Sequence, residues 1–165
     1  DIKITHIDSH QHIHMINSVF EVCKLFIKDK GIAIRLVDPN LEWKLFFKRP
    51  KKALKQYLLK TLSIKHRLNI KNKTNDSLIS IHDLDNLNQI DTESYKLLWK
   101  KNKSLVTELM VHPYICGDDL KSFYAETWSE KEPFFKLCFK EHDILKKEGI
   151  INRLTGLKPI RYDQI

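Results

Sequence analysis

Polar and apolar positions along the chain change period several times, and each change marks an element. Ile2 to Asp8 reads as a buried strand that runs into a polar, histidine-bearing loop. A helix then starts at Asn17-Ser18, where Ser18 and Glu21 have the spacing of a capping box. Val19, Val22, Cys23, Phe26 and Ile27 recur at three- and four-residue steps and mark its inner face. Gly31 is placed to close it, because a residue without a Cβ accepts the left-handed backbone that ends many helices. Ile32 to Val37 is apolar and forms a second strand ending at Asp38-Pro39. Strand, helix and strand at these lengths make a βαβ unit, and that implies a parallel sheet.

Residues 42 to 68 predict one or two helices broken near Pro50. Lys71 to Asn88 is rich in Asn and Asp and reads as a loop with marginal structure. A short helix is expected from Asp91 or Thr92 to Lys101, and a third strand from Val106 to His112, stopped by Pro113. A mobile loop around Gly117-Asp118-Asp119 should follow. Two helices come next, near Glu130 to Phe139 and His142 to Leu154, and Pro159 to Tyr162 forms a last strand. No internal repeat or linker interrupts the 165 residues, which suit a single domain with a real core.

Composition narrows the classes. No apolar run approaches the roughly 20 residues that span a bilayer, and the charged opening has no apolar stretch of signal-peptide type. Cys23, Cys116 and Cys138 are far apart and form no CxxC pair, so a reducing, cytoplasmic setting is expected. The net charge of +8 is concentrated: between Glu42 and Leu68 stand nine Lys and Arg residues and one acid, with Trp43, Phe46, Phe47, Leu54, Tyr57, Leu58 and Leu62 interleaved. Such a segment is either a solvated lysine face over a packed apolar one, or a surface for anionic membrane, phosphorylated substrate or nucleic acid. No recognised nucleic-acid motif accompanies the charge, so nucleic acid is not an expected partner, while peripheral membrane contact stays open.

The chemistry concentrates at Thr5-His6-Ile7-Asp8-Ser9-His10-Gln11-His12-Ile13-His14, where four histidines and one aspartate occupy every second position. An extended chain repeats its facing every two residues, so His6, Asp8 and His10 would share one side, with His12 and His14 following if the chain stays extended. A core would have to partner every ring nitrogen, whereas a metal site uses neutral imidazole as ligand and a carboxylate to fix its tautomer. The alternatives are hydrogen-bonded histidines at a strand end, or a histidine tract with incidental metal affinity. Parallel α/β folds carry their sites beyond the carboxyl ends of strands. Here three such ends offer the histidine motif, Arg35 and His112, a set suited to metal-assisted hydrolysis with one histidine as acid or base. His112 could equally bond a neighbouring backbone.

The motif from Thr5 to His14 resembles the hallmark of the YdjC-like carbohydrate deacetylases, the ChbG/HpnK group. The likeness continues through Val19-Phe20, Gly31-Ile32 and Ile34-Arg35-Leu36. It resumes at Thr107-Glu108-Leu109-Met110-Val111-His112-Pro113, similar to the family's late His-Pro strand, and at Ile160-Arg161-Tyr162-Asp163. Residues 40 to 105 match in general character alone. The resemblance implies an α/β fold, an incomplete (β/α)-barrel of the deacetylase type with mostly parallel strands. It also implies hydrolysis of an N-acetyl group from an acetylated sugar, chitooligosaccharide-like or lipid-linked, with a divalent metal, usually Mg2+ and otherwise Zn2+. Carried over by motif, His10 is a metal ligand, His6, His12 and His14 surround it, and Asp8 and His112 are catalytic, with His112 the acid for the leaving amine. Arg35 would position substrate.

Two further ligands of the family, an aspartate in an Asp-Asp-Phe-Gly segment and a histidine in a His-Leu-x-Leu-Thr-like segment, have no counterpart here, and Asp118-Asp119 lies too late to replace them. A catalytic metal normally keeps three protein ligands. The chain is therefore expected to be the carboxyl-terminal portion of such an enzyme, as fragment, truncated product or half of a split protein. Alone it should be inactive, and it could gain from pairing its open edges in a homo-oligomer. The alternative is a degenerate remnant that binds metal or a partner without turnover.

Overall fold

Thr5 and Ile7 present their carbonyls to the strand that follows the first helix, and this short parallel pairing organises the amino-terminal half. In the computed structural model β1 (His6–Ile7) runs parallel to β2 (Ala33–Ile34), with His6 opposite Ala33 and Ile7 opposite Ile34. The N–H groups of Ala33 and Arg35 donate to the carbonyls of Thr5 and Ile7 at 3.1 and 3.0 Å. The structure describes residues 3–41, 43–71, 73–84, 90–102, 106–147 and 159–165. A second pair joins β3 (Ser77–Ser80) to β4 (Thr107–Met110), so the strands form two small sheets and no closed barrel among the described residues. The mixed α/β class stands; the barrel is present at most in part.

The chain divides into two compact units: unit 1 comprises Asp1–Ile79, Asn102–Glu108 and Ile160–Ile165, and unit 2 comprises Ser80–Lys101 and Leu109–Pro159. In unit 1, α1 (Asn17–Lys30) ends as expected, with Gly31 at φ +63° and its N–H on the Ile27 carbonyl at 2.9 Å. The expected capping box is not formed: the cap lies two residues earlier, at Ile16 rather than Ser18, with no side-chain bond. Its buried residues are Phe20 and Ile27, whereas Val22 and Phe26, assigned to the inner face, are exposed, Phe26 at 58%. The reason lies in the partner: His66 stacks on Phe20 with ring centroids 3.6 Å apart, and that contact rotates the helix about its axis.

Pro50 separates α2 (Trp43–Lys48) from α3 (Pro50–Asn69), occupying a first-turn position where its missing N–H costs nothing. The packed face of α3 carries Ala53, Gln56, Ser63 and His66, while Leu54, Tyr57, Leu58, Ile64 and Leu68 face outward. Of the interleaved apolar residues, Leu54, Tyr57 and Leu58 thus do not belong to the inner face that a lysine-coated helix would have, while Leu62 is half-buried. Two of its cations do structural work: Lys60 and Arg67 pair with the buried Asp38.

The expected loop at Lys71 to Asn88 contains a buried strand instead. Asn75 anchors it, with its side-chain carbonyl accepting from Leu36 N–H at 2.8 Å and its amide donating to the Leu36 and Ser77 carbonyls at 2.8 and 3.0 Å. A side-chain amide that mimics a backbone edge is invisible to hydrophobic periodicity.

In unit 2, α4 (Thr92–Lys101) falls where expected. Gly117-Asp118-Asp119 opens a helix, α5 (Asp118–Phe123), rather than a mobile loop; two acids in a first turn suit the positive end of a helix dipole. The break expected between Phe139 and His142 does not occur: α6 (Trp128–Leu145) runs across it and passes through Pro133 near its start. Phe135, Cys138, Glu141 and Ile144, all buried at three-residue steps, carry the packing across the expected break. Ile81, Ile90, Tyr95, Leu137 and Ile144 form the core of this unit. The strand expected at Pro159 to Tyr162 is absent; Tyr162–Gln164 is a 3₁₀ turn in unit 1. Ile2, Glu42, Asn72, residues 85–88 and residues 148–154 of the expected elements lie outside the described residues.

Candidate functional site

The β1–β2 register decides what Asp8 meets. Arg35 follows β2 and donates its N–H to Ile7, so its side chain emerges next to Asp8. One guanidinium nitrogen bonds the Asp8 carboxylate and the other bonds Glu108. Glu108 also accepts from the Tyr162 hydroxyl, and the Tyr162 ring stacks on His6 with centroids 4.3 Å apart. Burial alone would lower the Arg35 pKa, but Glu108 and Asp8 outweigh it and raise it. Burial, reinforced by Glu108, pushes the Tyr162 phenol well above its ordinary range, so it stays a donor. One cation serves two carboxylates, which leaves a residual negative charge between β1, β2 and the start of β4.

The histidine run does not stay extended beyond Ser9. His10–Met15 winds into 3₁₀ turns, with Gln11 at φ +52° and His12 at φ +65°. Single non-glycine residues in this left-handed region are uncommon and cost roughly 1 kcal/mol each. Ser9 and His14 hold the turn: His14 N–H donates to Ser9 Oγ at 2.9 Å, and Ser9 Oγ lies 2.7 Å from His14 Nδ1. His14 Nε2 is 2.8 Å from the Arg35 carbonyl, which can only accept, so this nitrogen carries the proton and Nδ1 accepts from Ser9. Both nitrogens of the buried His14 are thereby engaged, and burial lowers its pKa, which favours the neutral ring. Asp8 Oδ1 lies 3.9 Å from His14 Nδ1.

The other imidazoles differ. His12 is half-buried with an Nδ1 that has no hydrogen-bond partner, and burial, then the charge of Lys55, lowers its pKa. His10 is exposed at the start of the turn. No three ligating groups converge among the described residues of unit 1, and magnesium prefers oxygen donors to a single free imidazole. These residues alone do not fit a resident magnesium ion.

His112 belongs to unit 2, just beyond β4. Its N–H donates to Glu141 Oε2 at 2.6 Å, and its ring meets that of His82 edge-on at 4.8 Å. Glu141 is fully buried on α6 and accepts from the Tyr95 hydroxyl at 2.8 Å. Burial and the Glu141 charge push the Cys138 thiol up to about 12, so it stays protonated.

Thus unit 1 gathers His6, Asp8, His14 and Arg35 around partners the sequence reading did not select, Glu108 and Tyr162, while unit 2 surrounds His112 with His82, Glu141 and Tyr95. A signal existed for one of them: Glu108 is the lone carboxylate in the apolar run Val106 to Val111, and such groups are rarely buried without a partner. His82 lies inside the segment read as a loop.

Comparison with known proteins agrees with the opening motif. Chitooligosaccharide deacetylases of Klebsiella pneumoniae strain 342 and of Klebsiella pneumoniae subsp. pneumoniae strain ATCC 700721 / MGH 78578 are each 47% identical to this chain over 32 residues. That stretch covers 19% of this chain and 13% of either relative. No solved structure matches significantly. No helix among the described residues is long and apolar enough to cross a membrane. The model of the YdjC-like protein family matches residues 1–149, and the chain belongs to that family.

Proposed function

We propose that this chain belongs to a metal-dependent carbohydrate deacetylase, which hydrolyses the acetamido group of an N-acetylhexosamine in a chitooligosaccharide or a lipid-linked glycan. The observation that carries the reading is the Asp8–Arg35–Glu108–Tyr162 network beside the histidine turn. It fixes two carboxylates, one of them Asp8, two residues before the exposed His10, and a carboxylate beside imidazoles is a donor set that suits a cation. In this reading His10 gives one imidazole to a divalent ion whose other ligands come from outside the described residues. Arg35 and Asp8 shape the substrate side. The likeness to the Klebsiella chitooligosaccharide deacetylases supports the substrate class. The outward apolar residues of α1 and α3 are faces of the kind that ordinarily pack against a partner.

The test is complementation. The chain is mixed with the amino-terminal segment of a chitooligosaccharide deacetylase, and magnesium affinity and acetate release from N-acetylglucosamine oligomers are followed together. Both should rise on mixing and be near zero for the chain alone. A chain that binds metal equally well with and without the added segment, and never turns over, would instead be a non-catalytic binding remnant.

A further inference from the structure

We propose that His82, His112 and Glu141 form a binding site for a divalent transition metal of the zinc class, built entirely from unit 2. The three residues come from the turn after β3, the loop after β4 and the middle of α6, and one ligating atom from each lies within 4.8 Å of the others. Two imidazoles and a carboxylate are a donor set that zinc takes when it keeps a fourth position for water, and nitrogen donors select against magnesium and calcium.

Three observations distinguish this trio from ordinary packing. Glu141 is fully buried, yet its carboxylate is met by two neutral donors, the Tyr95 hydroxyl and the His112 N–H, with His82 Nε2 at 3.9 Å from Oε2. Neutral donors offset a buried charge in part, and a bound cation completes the compensation. His112 Nδ1 is buried without a hydrogen-bond partner, which leaves a ligating nitrogen available. Finally, the rings are already oriented: Phe134 stacks on His82 at 5.4 Å and meets His112 edge-on at 6.0 Å. Tyr95 fixes the carboxylate in the way outer partners of metal ligands do. Tetrahedral zinc spaces its donors roughly 3.4 Å apart, so about an ångström of side-chain rotation closes the set. The ion and the proton assigned above to His112 compete for one ring, so the test reads binding rather than turnover. Its failure would leave the deacetylase reading standing.

The metal-free 165-residue chain is titrated with zinc chloride against a chromophoric chelator, and thermal unfolding is followed with and without zinc. His82→Ala and Glu141→Gln should each remove one equivalent of zinc or weaken its binding roughly tenfold or more, and abolish that equivalent's thermal shift. The double variant His10→Ala/His12→Ala should keep the same equivalent within about twofold. Glu141 is buried and its variant could unfold; the part-exposed His82, checked by circular dichroism, then decides. No stoichiometric zinc uptake by the parent chain, uptake undiminished in His82→Ala, or its loss in His10→Ala/His12→Ala would each overturn the proposal.

Discussion

Arg35 is the residue on which most of unit 1's electrostatics converge. It satisfies Asp8 and Glu108 at once, and its carbonyl fixes the His14 tautomer. Removing it leaves the largely buried Glu108 and the more exposed Asp8 without their cation, which costs roughly 1–3 kcal/mol. Arg35→Ala should lower the urea midpoint accordingly. Arg35→Lys should recover little of the loss, because a point charge cannot reach two acceptors as a guanidinium fork does. A second expectation concerns pH. Burial lowers the pKa values of His14 and His66 below 6.5, and each ring donates to a backbone carbonyl, of Arg35 and Met15. The native state therefore keeps these rings neutral while the unfolded chain takes up protons as pH falls through 6.5. Their stabilising contribution is complete above that value and is lost progressively below it. Unfolding midpoints should drop between about pH 7.5 and pH 5.5, and the double variant His14→Gln/His66→Gln should be less stable at the upper pH yet show a flatter dependence. An unchanged slope in the double variant would count against this assignment.

Elements governed by local rules were legible in the sequence. Gly31 closes α1 where a left-handed residue is needed, Pro50 starts α3, and α4 spans its expected residues. A methyl group at Gly31 would meet no atom within 4 Å, so Gly31→Ala isolates backbone strain. It should cost about 1 kcal/mol in chemical denaturation without altering the fold. What could not be read depended on side chains acting over long sequence separations. Asn75 pairing with Leu36 creates strand-like bonding in a segment with a loop's composition. His66 stacking on Phe20 sets the rotation of α1, so the periodicity of Val22 and Phe26 named the wrong face. The histidine alternation implied a shared face only while the chain stays extended, and Ser9 bonding to His14 holds the turn that ends the extended run. Glu108 and Tyr162 reach Arg35 from 73 and 127 residues further along the chain, beyond any local pattern.

At the scale of the whole molecule, the outward apolar residues are the feature that most needs a partner. Phe47 is 90% exposed, and Leu58 and Leu68 lie on the open face of α3. Alone, the chain should self-associate at tens of micromolar, and Leu58→Lys together with Phe26→Lys should shift it toward monomer in sedimentation velocity. The deacetylase reading treats these faces as covered in the complete enzyme, and it places one metal-binding imidazole of the active site in this chain, at His10. The most direct measurement is therefore acetate release from N-acetylglucosamine oligomers in magnesium, for the chain alone, for its mixture with a family member's amino-terminal segment, and for the same mixture carrying His10→Ala. The account predicts turnover in the unmodified mixture and none in the other two. Turnover by the chain alone, or undiminished turnover with His10→Ala, would contradict it.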